Sequence, residues 1–364
     1  SFVYKNRSYS SRSLLSDCYG RFVYFGISQI MAKVHVSIPD LRRKLFFEVC
    51  SSQEELQSWL LTFLSLDFPD CTVDEESTSN PMQFIWECYD FMRTNEGPPE
   101  HVFAAGRGLS KTASAAAIEF LALVHFRRQN VHYSALKAQS KLALKYLHKF
   151  CRIPELQGHF ESKSTFEINL INLPPNSFTK KSDAFIAVVA ATIEATNGYR
   201  ANAIFSDETD LTSRDVISEA SLMGIPTADE HSYDPLTVYL SSRKTNDGPL
   251  QDRIDEAEKF PKDIRVHKVS WVDWMQKCLP VTHGEPGVTA WVSRENLQIY
   301  WDEIPKSLGA VERTQLMERP VFEGCRTCPA FLVCQGRAPK QTSTSKYLKS
   351  IKFVGRELKK MTDP

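Results

Sequence analysis

The sequence has no net charge, no long apolar run and no signal peptide pattern. Its 44 Lys and Arg residues are balanced by 44 Asp and Glu residues, which excludes a uniformly basic coat for nucleic acid but leaves room for a local basic patch. Because no run of about 18 apolar residues occurs, we expect no membrane span and no membrane partner. Residues 1–20 lack an apolar core followed by a small-residue cleavage site. The first residue is not methionine, so we expect a fragment or a processed chain.

What is present is the composition of an ordinary globular protein. Hydrophobic residues make up 42% and charged residues 24% of the 364 positions, which suffices for one large α/β domain or two smaller ones. From residue 101 onwards, short apolar segments alternate with segments of helical periodicity. This alternation predicts an α/β fold with a mainly parallel central sheet flanked by helices. The helix predicted over 112–129 is apolar nearly all round, as expected for a helix packed against such a sheet.

The distribution of residue types divides the chain into four predicted parts. These are an N-terminal extension or subdomain (1–80), an α/β core (81–264), a small subdomain rich in Cys and Trp (265–340), and a basic helix or linker (341–364). In the last part, basic residues recur mostly every three or four positions. Such a stripe is typical of a DNA-backbone contact, although a solvated helix or a linker shows the same pattern.

The segment "HVFAAGRGLSKTASAAAIEF" (101–120) resembles a phosphate-binding loop that leads into a buried helix. A strict G-x-x-x-x-G-K-[ST] pattern fails, because Ala105 and Ser110 occupy the two glycine positions. Lys111 and Thr112 are nevertheless in place, between a short strand and a helix start. In such loops backbone N–H groups and the helix N-terminus bind phosphate, Lys neutralises its charge, and the hydroxyl ligates Mg²⁺. The alternative is a glycine-containing turn with a solvated lysine.

A second acidic element supports a nucleotide site. The apolar strand in "NAIFSDETD" ends in Asp207 and Glu208. In nucleotide hydrolases of this layout the aspartate holds Mg²⁺ through water and the glutamate polarises the attacking water. Arg107, inside the loop, is positioned to act on the γ-phosphate as an arginine finger from the same chain. The alternatives are two solvated acids at a strand end and a solvated arginine.

Together, "GRGLSKTASAAAIEFL", "TNGYRANAIFSDETD" and "VHYSALKAQSKLALKYL" resemble the ATPase domain of large terminase subunits, the DNA-packaging motors of tailed bacteriophages. The resemblance covers about residues 80–260 and implies a P-loop NTPase of the additional-strand, catalytic-glutamate (ASCE) type. "VYLSSRKT" is similar to that family's coupling motif, which relays hydrolysis to DNA movement, with Ser241, Ser242 and Arg243 at the matching positions. Gln83 matches the place of an adenine-contacting glutamine.

The resemblance implies a set of site residues. Catalytic roles fall to Glu208, Arg107 and Lys111. Nucleotide and Mg²⁺ contacts fall to Ala105, Gly106, Arg107, Gly108, Leu109, Ser110, Lys111, Thr112, Asp207 and Gln83. Ser110 departs from the family, which usually keeps glycine there. A Cβ at this position would crowd the backbone near the β-phosphate if the position requires glycine-like dihedral angles.

The resemblance also implies a function. We expect an ATPase that drives double-stranded DNA into a viral procapsid, in the host cell cytoplasm, as a homo-oligomeric ring bound to a portal protein and a small terminase subunit. We expect no nuclease activity in this chain, because residues 335–364 contain too few acids for a two-metal nuclease. Two alternatives remain open, a helicase-like DNA-remodelling ATPase and a non-hydrolysing DNA-binding scaffold.

Four cysteines predict a metal centre in the Cys-rich subdomain. They are Cys278, Cys325, Cys328 and Cys334, of which the last three form a C-x₂-C-x₅-C pattern. Four thiolates suit a structural Zn²⁺, and a [4Fe–4S] cluster is the alternative, as are unliganded thiols. His267 and His283 flank Cys278 and are possible substitute ligands, although a histidine that binds no metal is the simpler interpretation of each.

Overall fold

The fold is seen in a computed structural model that describes residues 38–276 and 343–357. Within these ranges it omits 75–76, 107, 175, 179–183, 228–231, 243–246, 351 and 355. None of the helices in the described ranges has the length and apolar composition that a membrane crossing requires.

In the described ranges, eight strands form one sheet. They are β1 (Glu100–Ala105), β2 (Asn130–Ser134), β3 (Phe160–Ser164), β4 (Glu167–Leu170), β5 (Ala184–Ala190), β6 (Ala203–Asp207), β7 (Leu236–Ser241) and β8 (Ile264–Val269). Their order across the sheet is β3-β4-β5-β2-β6-β7-β1-β8. From β5 across the sheet to β8, all neighbouring strands pair in parallel. Strand β4 is antiparallel to both of its neighbours, β3 and β5. The predicted α/β fold with a mainly parallel sheet is therefore confirmed.

Helices cover the sheet and connect its strands. In the described ranges they are α1 (Ile38–Phe47), α2 (Gln53–Trp59), α3 (Pro81–Thr94), α4 (Lys111–Val124), α5 (Lys137–Phe150), α6 (Ile193–Thr196), α7 (Arg214–Ser221) and α8 (Pro249–Lys259). A π-helical turn at Leu60–Leu64 continues α2.

Helix α4 lies at the centre of the fold. Every one of its residues is buried, as its apolar sequence predicts, and small side chains at Ala115, Ala116 and Ala117 allow close packing on the sheet. The helix ends at Val124 rather than at the predicted residue 129. The chain turns there, because Arg127 adopts a left-handed backbone with φ of 53° before β2 begins.

The sheet continues past residue 264, where the core is predicted to end. Strand β8 pairs along its whole length with β1 and ends at Val269, and Trp271 and Trp274 beyond it belong to the main hydrophobic core. The sheet needs this edge strand to cover β1, which would otherwise expose unpaired backbone groups. The described part of the predicted N-terminal extension also packs into this core, where Phe46 meets Phe120 at a ring-centroid distance of 6.4 Å.

Candidate nucleotide-binding site

Three adjacent strands deliver the predicted site residues to one edge of the sheet. Strands β6, β7 and β1 are neighbours and run parallel, so their carboxyl ends lie side by side. The loop 106–110 follows β1, Asp207 ends β6, and Ser241 ends β7. In open α/β sheets this edge is where ligands bind.

Lys111 links the loop to the end of β7. Its ammonium Nζ donates to the carbonyl oxygens of Ala105 and Gly106, at 3.1 Å each, and to Ser242 Oγ at 2.8 Å. The side chain is only 7% exposed, although lysine is rarely buried. Lys111, the first residue of α4, therefore holds its positive charge inside the loop, and the alternative of a solvated lysine is excluded.

Thr112 links the start of α4 to the end of β6. Its Oγ1 donates to Asp207 Oδ2 at 2.8 Å, and both residues are buried. The sequence places the two residues far apart, yet strand order brings a hydroxyl and a carboxylate within one hydrogen bond. These are oxygen ligands of the kind that Mg²⁺ prefers.

Buried charges surround the Asp207 carboxylate. Burial raises its pKa, while His132 and the hydrogen bond from Thr112 act in the opposite direction. His132 on β2 lies 2.6 Å from Glu119 on α4, and both side chains are fully buried. Burial lowers the pKa of His132, but the Glu119 carboxylate more than offsets this and leaves that pKa raised. The His132–Glu119 pair thus lies close enough to Asp207 for the histidine to act on the pKa of that carboxylate.

Glu208 lies where β6 turns away from the sheet. Its backbone is left-handed, with φ of 56°, and its N–H donates to Asp207 Oδ1 at 3.0 Å. Thr209 holds the turn, since its Oγ1 donates to the Ser206 carbonyl at 3.1 Å. A non-glycine residue in this backbone conformation is uncommon and is found disproportionately at functional sites.

The end of β7 contacts both halves of the site. Ser241 Oγ accepts the N–H of Asp210 at 3.2 Å, while Ser242 Oγ accepts from Lys111. The two predicted coupling serines therefore touch the loop on one side and the segment after the acidic strand on the other. Arg243, the third coupling residue, lies outside the described residues.

The backbone conformation of the loop explains why a serine at position 110 is strained. Ser110 has φ of 55° and ψ of 26°, and it caps α4 without a side-chain hydrogen bond. The position does require glycine-like dihedral angles, so the Cβ of Ser110 is strained there. Gly108 also has a positive φ, of 79°. Leu109 between them is completely buried and anchors the loop in the core.

Trp271 is a site residue that the sequence analysis missed. Its indole lies against the loop, so that a Cβ on Gly106 would approach Trp271 Nε1 to 2.7 Å and one on Gly108 would approach Cη2 to 3.7 Å. Gly106 is therefore required by packing under the indole. No local motif marks Trp271, because it follows a strand far along the chain.

Among the described residues, the other predicted site residues make no hydrogen bond to the loop. Gln83 donates from Nε2 to Glu87 Oε1 at 2.8 Å, one turn further along α3. Arg107 lies outside the described residues, as do Cys278, Cys325, Cys328, Cys334 and His283. His267 is described, but it lies in β8 and contacts His101.

Comparisons with solved structures return phage packaging proteins. The chain is similar to the large terminase of bacteriophage HK97, with 19% identity and a TM-score of 0.41, over 72% of this chain and 50% of that one. It is similar to the large terminase ATPase domain of Thermus phage P74-26, with 11% identity and a TM-score of 0.35, over 60% of this chain and 86% of that one. The large terminase of a thermophilic bacteriophage in complex with ADP shows 10% identity and a TM-score of 0.37, with 52% and 44% covered.

The chain spans 50% of the length of the HK97 terminase and 44% of that of the ADP-bound terminase. The sequence matches no family model and no curated protein. These three structures are large terminases of bacteriophages, the family whose motifs the loop and the acidic strand resemble.

Proposed function

We propose that this chain is the P-loop ATPase of a viral DNA-packaging motor, which uses ATP to translocate double-stranded DNA into a procapsid. The observation that carries the proposal is the convergence of Lys111, Thr112 and Asp207 at the carboxyl edge of the sheet, through the hydrogen bonds of Lys111 to the loop and of Thr112 to Asp207. The DNA-packaging role rests on the sequence resemblance of the loop, the acidic strand and the coupling motif.

Each side chain has a proposed task. When ATP binds, the Lys111 ammonium gives up its hydrogen bonds to the loop carbonyls and donates to phosphate oxygens instead. Thr112 Oγ1 and the Asp207 carboxylate hold Mg²⁺, which neutralises charge that develops on the transferred phosphoryl group. Glu208 orients the attacking water and accepts its proton. Arg107, from the sequence alone, contacts the γ-phosphate.

Coupling follows from the bonds of Lys111. In the structure its ammonium donates to Ser242 Oγ, so that the residue after β7 is hydrogen-bonded directly to Lys111 at the end of the loop. A phosphate that competes for Lys111 releases this hydrogen bond and frees the end of β7. We propose that this release, together with the Ser241 contact to Asp210, passes the nucleotide state to the DNA-contacting surface.

ATP hydrolysis by the full chain, with and without double-stranded DNA, tests the proposal. We expect turnover stimulated by DNA, nucleotide binding without turnover in Glu208→Gln, and loss of nucleotide binding in Lys111→Ala. The control is Glu219→Gln on α7, which removes a carboxylate that no proposed step uses. If the wild-type chain binds no nucleotide, the proposal fails and the DNA-binding scaffold replaces it.

A second assay separates the motor from a helicase-like remodelling ATPase. A procapsid with its portal and the small terminase subunit is supplied with ATP and linear DNA, and DNA protected from nuclease is measured. A parallel assay follows strand separation of a partial duplex. Protection without strand separation supports the motor, and strand separation without protection supports the remodelling ATPase.

A further inference from the structure

Two histidines and one glutamate from different elements meet at the β1–β8 edge of the sheet. His101 lies on β1, His267 on β8 and Glu87 on α3. One ligand atom from each lies within 4.8 Å of the other two. His101 Nδ1 is 3.0 Å from His267 Nε2, which is 3.7 Å from Glu87 Oε2.

We propose that Glu87, His101 and His267 form a binding site for a divalent transition metal, with Zn²⁺ as the best match. Zn²⁺ binds imidazole nitrogen and carboxylate oxygen at about 2.1 Å, so neighbouring ligands of a tetrahedron are about 3.4 Å apart. The two measured distances lie on either side of this value. Small movements of the side chains therefore suffice to form the site, and a water molecule completes the coordination.

The surroundings of His267 are compatible with metal binding. Ser79 Oγ lies 3.0 Å from His267 Nδ1 and donates to the Asn80 carbonyl at 3.2 Å. In the tautomer that donates from Nδ1 to this hydroxyl, the lone pair of His267 is on Nε2, the atom that faces the other two residues. A hydrogen bond that orients the second ring nitrogen is the usual support of a metal-binding histidine.

His101 is poorly satisfied without a metal. If its Nδ1 proton is donated to His267, its Nε2 lone pair is left without a hydrogen-bond partner in a side chain that is 1% exposed. A buried polar atom in this state is unfavourable. A metal on Nδ1 would place the proton on Nε2 instead, and the Pro98 backbone interacts with this imidazole.

The chemical state of the three groups also fits. Both imidazoles are buried, which favours the neutral form that coordinates a metal. Glu87 accepts from Gln83 and Arg265, which orient its carboxylate. Its side chain is 26% exposed, which gives a metal ion a path from solvent.

A metal at this site would link β1, which leads to the phosphate loop, with β8, which leads to the Trp271 indole that lies on the loop. Strand β1 continues into Gly106, and β8 continues into Trp271, whose indole lies on that glycine. The inference stands apart from the proposed function, because the three ligands are at the strand interiors and on α3, whereas nucleotide is proposed at the carboxyl ends.

Titration of the chelator-treated full chain with Co²⁺ and Zn²⁺ tests the site. Co²⁺ gives visible absorption from nitrogen and oxygen ligands without the sulfur charge-transfer bands of thiolates, so this site is distinguished from the predicted cysteine centre. We expect one such Co²⁺ per chain, displaced by Zn²⁺, and a Zn²⁺-dependent rise in the melting temperature.

Variants decide which residues bind the metal. Glu87→Gln keeps the shape of a partly exposed side chain, and we expect it to weaken Co²⁺ binding at this site at least about tenfold, while His101→Asn and His267→Asn abolish it. Asp90→Asn, on the same helix, is the matched control and should bind as the wild type does. If either histidine variant does not fold, Glu87→Gln alone decides. Unchanged Co²⁺ affinity in Glu87→Gln, or absorption from thiolates only, overturns the proposal.

Discussion

Thr112 Oγ1 donates a hydrogen bond of 2.8 Å to the buried carboxylate of Asp207, and this bond joins the first turn of α4 to the end of β6. This bond thus fixes the position of the phosphate loop relative to the acidic strand. Because the carboxylate is fully buried, the hydroxyl that satisfies it contributes both to stability and to the proposed Mg²⁺ site.

Thr112→Val keeps the shape of the side chain and removes this hydrogen bond. The Asp207 carboxylate then loses a buried partner, so we expect the free energy of unfolding to fall by about 1 to 3 kcal/mol. Urea denaturation measures this change. Thr112→Ser keeps the hydroxyl and should lie much closer to wild type. Equal stability of the Val variant and the wild type would contradict the role of the bond.

Ser110→Gly relieves the left-handed backbone of the loop. A Cβ at φ of 55° costs about 1 to 2 kcal/mol, and the entropy that glycine adds to the unfolded chain offsets part of the gain. We expect a net rise in the free energy of unfolding of about 0.5 to 1 kcal/mol, measured by urea denaturation. Ser110→Ala removes the hydroxyl but keeps the Cβ and should show no such rise. If Ala stabilises as much as Gly, strain is not the cause.

Gly106→Ala places a methyl group 2.7 Å from Trp271 Nε1. We expect a loss of about 1 to 3 kcal/mol of unfolding free energy, because the indole has to shift. In a Trp271→Ala background the same change should cost far less, so a double-mutant cycle will show strong coupling. Gly198→Ala is the control, since nothing lies within 4 Å of its added Cβ. Additive effects in the cycle would show that the contact does not constrain the loop.

His125 makes folding sensitive to acid. Burial lowers its pKa to about 4, whereas the unfolded chain titrates near about 6.5, so the unfolded state binds more protons between these values. The free energy of unfolding should therefore fall by about 1.4 kcal/mol per pH unit from this group as the pH drops from 6.5 towards 4. Urea denaturation across this range measures the slope. In His125→Gln the slope of unfolding free energy against pH should correspond to one fewer proton taken up on unfolding. An unchanged slope would show that other groups cause the acid sensitivity.

The Glu119–His132 pair has the opposite pH dependence. Its histidine has a raised pKa, so the stability that the pair contributes is present below about pH 6.5 and is lost as the pH rises through the folded-state value. Glu119→Gln leaves His132 without its carboxylate, and we expect a loss of about 3 to 5 kcal/mol near neutral pH. Thermal denaturation against pH measures both effects. A Gln variant as stable as the wild type would show that the pair is dispensable.

The sequence predicts the local features of the site. The apolar helix after Lys111 and Thr112, the strand that ends in Asp207, and the alternation of strands and helices all depend on spacing of a few residues. Such spacing determines which face of a strand or helix is buried and where a helix begins. Ser110 was likewise recognised as the departure from a glycine, and its left-handed backbone shows why glycine is preferred.

Long-range contacts were not readable. Trp271 covers Gly106, and Glu87 meets His101 and His267, although no local pattern links these positions. The antiparallel β4 inside an otherwise mainly parallel sheet and the extension of the sheet to Val269 also escaped the sequence analysis. Each depends on which strands become neighbours, a choice that side-chain periodicity within one segment does not encode.

The amino-acid sequence by itself determined the α/β class, the buried helix α4 and the residue types that the loop and the acidic strand present, because these follow from residue type and short-range periodicity. Only the tertiary structure decided that Lys111 reaches Ser242, that an indole covers the loop, and that two buried histidines lie close to a glutamate. The physical reason is strand order, since parallel pairing of β1 with β7 and with β8 sets side by side residues that are more than a hundred positions apart.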